Sequence, residues 1–97
     1  MGAPQVEMYA SDWCGYCRRA RALLEKKGVA FTEIDVDDRP DLRSWLRSAS
    51  GQTTVPQVFV NGRSLGGFTD IDALDRDGGL DPLLGQAPDP SAPALPR

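Results

Sequence analysis

Residues 11–19 read SDWCGYCRR and hold both cysteines of the 97-residue chain, Cys14 and Cys17. Two cysteines two residues apart can be a structural staple, half of a metal site or a reversible redox pair, and the flanking sequence decides among them. Before the motif, residues 5–10 (QVEMYA) alternate, with Val6, Met8 and Ala10 on one side, the pattern of a short strand. After it, Cys17, Ala20, Leu23 and Leu24 share one helical face. Lys26 and Lys27 suit the negative end of that helix, and Gly28 can supply a left-handed cap. The cysteines therefore stand where a strand gives way to a helix.

The elements that follow extend this unit. A second strand is expected at 30–36 (AFTEIDV), with Ile34 and Val36 in phase and Phe31 on the opposite parity. Pro40 fits the first turn of a second helix, Leu42, Trp45, Leu46 and Ala49 recur at helical spacing, and Gly51 ends it. In VPQVFVNGRSLGG (55–67), Val58, Phe59 and Val60 form a continuous apolar run suited to a buried strand. Asn61-Gly62 signals a type I′ hairpin, and Ser64 to Gly66 is the return strand. Thr69 with Asp72 resembles a capping box for a helix through Ile71 and Leu74 that stops at Gly78-Gly79. Asp81-Pro82 opens a last turn carrying Leu80, Leu83 and Leu84. The order is β-α-β-α-β-β-α. An initial strand, helix, strand unit implies a parallel pair with a right-handed crossover, and the hairpin adds an antiparallel edge. This is a small α/β fold.

Composition bounds the rest. Residues 85–97 (GQAPDPSAPALPR) carry four prolines and no apolar period. Such a segment buries too little to offset its ordering entropy, so a disordered tail is expected there, leaving residues 1–84 to fold as one domain. The net charge of −3 argues against a general nucleic-acid binder. Yet residues 16–27 hold five cations against Glu25 alone. That run is either a solvated helix face or a positive field that draws an anionic substrate to the cysteines. The first residues show no cationic and apolar signal, position 6 is Val6 where myristoylation needs Ser or Thr, and no apolar run approaches a membrane span. The expectation is a cytoplasmic protein with no nucleic-acid or membrane partner.

A disulfide between Cys14 and Cys17 would close only a four-residue loop, for a stabilisation of about 2 kcal/mol. Structural zinc wants four Cys or His ligands, and this chain has two cysteines and no histidine. A c-type haem needs His after the second cysteine, where Arg18 stands. The redox pair fits. At a helix start Cys14 would face free backbone N–H groups and the positive dipole end, with Arg18 and Arg19 close by, all of which favour thiolate over thiol. Cys17, one turn further on, suits the buried resolving role.

At this point the residues resemble the glutaredoxin family from Gln5 to Leu84. The motifs are C-G-Y-C, TTVPQVFVNG at 53–62, LGGFTD at 65–70 and DGGLDPLL at 77–84, closest to small bacterial dithiol members. The resemblance implies a thioredoxin fold with a four-stranded mixed sheet and helices on both faces. It implies a disulfide oxidoreductase with Cys14 and Cys17 catalytic and glutathione as co-substrate. It also implies a glutathione groove formed by Tyr16, Thr54, Val55, Pro56, Gly67, Phe68, Thr69 and Asp70, with Arg43 a further partner for the ligand's glycine carboxylate. Pro56 should be cis, the Val55 backbone should pair with the ligand, and the N–H groups of Phe68, Thr69 and Asp70 should hold the γ-glutamyl carboxylate. The implied partners are glutathione and disulfide-bearing or glutathionylated proteins.

The chain departs from the family pattern at three places. Ser11 stands where Lys is usual, Gly15 replaces the motif proline, and Phe68-Thr69 replace the usual Cys-Asp. WCGYC is also similar to mycoredoxins, which use another low-molecular-weight thiol. Family members with Gly or Ser in place of the motif proline bridge a [2Fe–2S] cluster between two subunits, with Cys14 then a ligand. The alternatives are thus a cluster-binding dimer, or a reductase driven by thioredoxin reductase or another thiol; without a cluster a monomer is expected.

Overall fold

The structure, a computed structural model, describes residues 3–12, 14–52 and 54–97, so Trp13 and Thr53 of the quoted motifs lie outside the described residues. The elements are β1 (Val6–Ala10), α1 (Gly15–Lys26), β2 (Thr32–Asp35), α2 (Pro40–Ser50), β3 (Gln57–Val60), β4 (Arg63–Gly66), α3 (Phe68–Arg76) and α4 (Leu80–Leu84). The four strands form one mixed sheet in the order β2-β1-β3-β4. β1 runs parallel to β2, with Tyr9 opposite Ile34, and antiparallel to β3, with Met8 opposite Val58. β3 and β4 are antiparallel with a bulge at Val58/Phe59. Between them Asn61 and Gly62 have φ of 50° and 78°, the two positive values a type I′ turn requires.

Strand alternation divides the core. Val6, Met8, Ala10, Val58 and Val60 point to one side and pack with Cys17, Ala20 and Leu24 of α1, Ile71 of α3 and Leu80 and Leu84 of α4. Tyr9, Ile34, Val36 and Phe59 point to the other, where Leu42 and Leu46 of α2 cover them. Burying each such leucine contributes about 1.5–3 kcal/mol. Phe31, out of phase with Ile34, packs on the α1 side just before β2 begins. β1 is central and covered on both faces, so all five of its residues are buried, Glu7 included. The alternation in the sequence marked only one of those faces.

The third helix begins earlier than the Thr69–Asp72 pairing suggested. Gly67 is its cap, and the carboxylate three residues on, Asp70, accepts from the Gly67 N–H at 2.9 Å. Moving the cap from 69 to 67 selects Asp70 as the closing acceptor; Asp72 instead pairs with Arg76 one turn along. Lys27, at the end of α1, bridges Asp75 and Asp81 and so ties α1 to α3 and α4.

Residues 87–97 carry no helix or strand and are mostly exposed, with contacts to the domain at a few points. The Asn61 side-chain amide donates to the Ala87 carbonyl at 3.0 Å, and the Tyr9 hydroxyl donates to the Pro96 carbonyl at 2.5 Å. Among the described residues no helix is long and apolar enough to cross a membrane.

Candidate active site

Both thiols are free, and α1 arranges them differently. Cys14 is the N-cap of α1, with extended backbone, and its Sγ accepts the Cys17 N–H at 3.2 Å. That contact satisfies one of the helix's unpaired amides and leaves the sulfur at the positive end of the helix. The Cys14 thiol also donates to the Val55 carbonyl at 3.5 Å. Cys14 is half-buried, whereas Cys17 is fully buried under α1. Burial, and then the hydrogen bond with Cys14, push the Cys17 thiol up to about 12. Of the two thiols, only that of Cys14 is partly exposed.

Beside Cys14 runs a groove of about 330 Å³ lined by Tyr16, Gln52, Thr54, Val55, Pro56, Gly67, Phe68, Thr69 and Asp70. Its floor is the segment entering β3, where the Val55–Pro56 peptide is cis. Gln57, fully buried, holds this segment: its side-chain amide donates to the Thr54 carbonyl at 3.0 Å and to Gln52 Oε1 at 2.8 Å. One wall is the start of α3, from Gly67 to Asp70. The other is Tyr16, 57% exposed, whose ring lies 6.2 Å from that of Phe68 and 5.5 Å from the Arg19 guanidinium.

The groove gathers the eight residues from Tyr16 to Asp70 that the resemblance assigns to it and adds Gln52, which carried no signal in the sequence because it sits in a loop with no periodicity. Arg43 is placed elsewhere, its guanidinium 3.7 Å from Asp37. Asp37 also accepts from the Ser11 hydroxyl at 2.7 Å and from the Asp12 amide at 3.1 Å. The bond to the Ser11 hydroxyl, more than any other contact, holds its carboxyl below the usual carboxylate range. Of the five cations on α1 and its C-cap, Arg21 pairs with Glu33 and Lys27 with two aspartates, while Arg18 and Arg19 lie exposed near the cysteines.

A reachable nucleophile at a helix N-terminus, backed by a buried thiol within one turn, is equipped for thiol–disulfide exchange. Comparison with known proteins agrees. The glutaredoxin family model matches residues 6–65. The chain is 49% identical over 79 residues to glutaredoxin 3 of Escherichia coli K12, covering 81% of this chain and 95% of that one. It is 48% identical over 81 residues to a glutaredoxin of Pseudomonas aeruginosa, covering 84% and 96%. Among solved structures, glutaredoxin from Brucella melitensis superposes with a TM-score of 0.79 at 41% identity, covering 88% of this chain and 92% of that one. A buckwheat glutaredoxin–glutathione complex superposes at 0.78 with 32% identity, covering 84% and 76%. With its thioredoxin fold and its Cys14–Cys17 redox pair, the chain belongs to the glutaredoxin family of thiol–disulfide oxidoreductases.

Proposed function

We propose that the chain uses glutathione to reduce protein disulfides and protein–glutathione mixed disulfides in the cytoplasm. The observation that carries this reading is a groove lined by Val55 and by the first residues of α3, with the Cys14 sulfur 3.5 Å from the Val55 carbonyl. The buckwheat relative, crystallised with glutathione, supports it. Glutathione would lay its cysteine along Val55 like an added strand, with its sulfur beside Cys14. Its γ-glutamyl carboxylate would take the N–H groups of Phe68, Thr69 and Asp70, and its ammonium the Asp70 carboxylate. Tyr16, Thr54, Pro56 and Gly67 would shape the walls.

In the reaction, the Cys14 thiolate attacks the glutathionyl sulfur of a mixed disulfide, and the protein substrate leaves as a thiolate that takes up a proton. A second glutathione thiolate attacks the sulfur of the glutathione held on Cys14, releasing glutathione disulfide and the Cys14 thiolate. With a protein disulfide, attack by Cys14 forms a protein mixed disulfide. Cys17 then loses its proton and attacks Cys14, freeing the second substrate thiol and leaving a Cys14–Cys17 disulfide that two glutathiones reduce. Formation of the first mixed disulfide removes the Cys14 sulfur as partner to the Cys17 thiol, one of the influences that hold it protonated.

The test is turnover of a glutathionylated peptide with each electron source in turn. Glutathione with its reductase and NADPH should support it, and thioredoxin reductase with NADPH alone should not. Equal or better turnover with thioredoxin reductase, or with another low-molecular-weight thiol, would overturn the assignment of glutathione.

A further inference from the structure

The sheet face that α2 covers also receives Leu95 from the end of the chain. Three side chains of unlike character stand on it: Phe59 and Tyr9, their ring centroids 5.7 Å apart and each packed on Trp45 of α2, and Glu7 on the same side of β1 as Tyr9. Glu7 is only 4% exposed and its Oε2 accepts no hydrogen bond. Tyr9 is fully buried, and a buried hydroxyl needs a partner. A carboxylate on an apolar face is costly unless a counter-charge is brought to it. Among the described residues, neither α2 nor a neighbouring strand supplies a hydrogen-bond acceptor to the Tyr9 hydroxyl or a cation to Glu7.

Residues near the end of the chain do. Leu95 packs against the cluster of Tyr9, Ile34, Val36, Leu42, Leu46 and Phe59. The Tyr9 hydroxyl donates to the Pro96 carbonyl, the Arg97 guanidinium lies 3.9 Å from Glu7 Oε2, and Arg39 at the start of α2 donates to the Arg97 carbonyl at 3.3 Å. Upstream, Pro93 passes so close to Gly62 that a Cβ there would stand 3.1 Å from the proline ring. The segment thus spans the hairpin turn at one end and the first turn of α2 at the other. Pro93 and Pro96 restrict its backbone in advance.

We propose that this face is a docking groove and that its occupant is the chain's own segment 93–97, with Leu95 in the apolar centre, Pro96 on the Tyr9 hydroxyl and Arg97 opposite Glu7. None of these residues lines the Cys14 groove, so the strap is independent of the redox reading. Its partners on the sheet are the two polar positions of β1 that alternation alone would assign to solvent.

Backbone ¹⁵N relaxation on the full chain tests it. Residues 93–97 should show heteronuclear NOE values close to those of β1. Leu95→Asp, a change in a segment outside the helices and strands, should drop them to free-chain values, move the amide signals of Glu7, Tyr9, Arg39 and Trp45, and lower Tm by about 5 °C. Arg97→Glu, which sets a second carboxylate against Glu7, should act in the same direction. Free-chain relaxation of residues 93–97 in the unsubstituted protein would overturn the proposal, as would unmoved Glu7, Tyr9 and Trp45 signals in Leu95→Asp.

Discussion

Ser11 donates its hydroxyl proton to Asp37 at 2.7 Å, across 26 positions of sequence. The bond joins the two loops at one end of the sheet. The Ser11 carbonyl in turn accepts the Cys14 N–H at 3.4 Å, so the residue that presents the reactive sulfur hangs from Asp37 through Ser11. Ser11→Ala removes the hydroxyl and leaves the Asp12 amide as the remaining tether. One such hydrogen bond contributes about 0.5–1.5 kcal/mol, so a fall of about three- to tenfold in kcat/KM is expected, with Tm lowered by about 2–10 °C. Steady-state kinetics beside a thermal scan check it; unaltered kinetics would show that the tether does not position Cys14.

Acid should weaken the same tether. Because the folded state holds Asp37 below its ordinary value of 3.8, its contribution is present above that pH and is lost as pH falls through the lower folded value. Asp37→Asn keeps an acceptor for Ser11 while losing the charge. Its Tm should therefore vary less than the parent's between about pH 5 and pH 2. Parallel Tm-against-pH curves for the two proteins would contradict this.

At alkaline pH the sign reverses. Burial raises Cys17 from 9.0 to about 12, and burial followed by the Glu7 charge raises Tyr9 from 10.0 to about 12. Both groups stay protonated in the folded chain while the unfolded chain ionises. The stability they lend is whole below pH 9 and declines from there to about pH 12. Urea unfolding of the reduced protein at a series of pH values should show the decline, and Cys17→Ala should make it shallower. The same slope in Cys17→Ala and the parent would remove Cys17 from the explanation.

Gly66 stands at the turn into the groove's α3 wall. Its φ is +95°, and a Cβ there would collide with the Asp70 carboxylate that caps Gly67. Gly66→Ala should cost about 2–4 kcal/mol through strain and overpacking, measured by urea unfolding. It should also raise KM for a glutathione mixed disulfide, because the Asp70 side chain must move. A stability within about 0.5 kcal/mol of the parent would show that this turn relaxes freely.

Much of this fold was legible because its signals are local. Asn61-Gly62 announces its own turn, Pro40 and Gly51 bracket α2, and the cysteine motif marks the junction of β1 and α1. The start of α3 was misread because Asp70 and Asp72 both offer a carboxylate, and only the position of the cap chooses between them. Gln52 and Gln57 escaped notice for a different reason: their bond organises a loop, and no periodicity reports it. Least legible were Glu7 and Tyr9. Their partners lie near the far end of the chain, 87 positions away for the Tyr9–Pro96 bond, and an alternating strand gives no sign of what covers its second face.

The division of labour between the two sulfurs is most directly tested by the single substitutions Cys14→Ser and Cys17→Ser, assayed for reduction of a glutathionylated peptide with glutathione supplied. Reachable Cys14 and buried Cys17 predict that Cys17→Ser keeps turnover within about tenfold of the parent, while Cys14→Ser falls to the uncatalysed rate. Loss as complete in Cys17→Ser as in Cys14→Ser would contradict the roles assigned here.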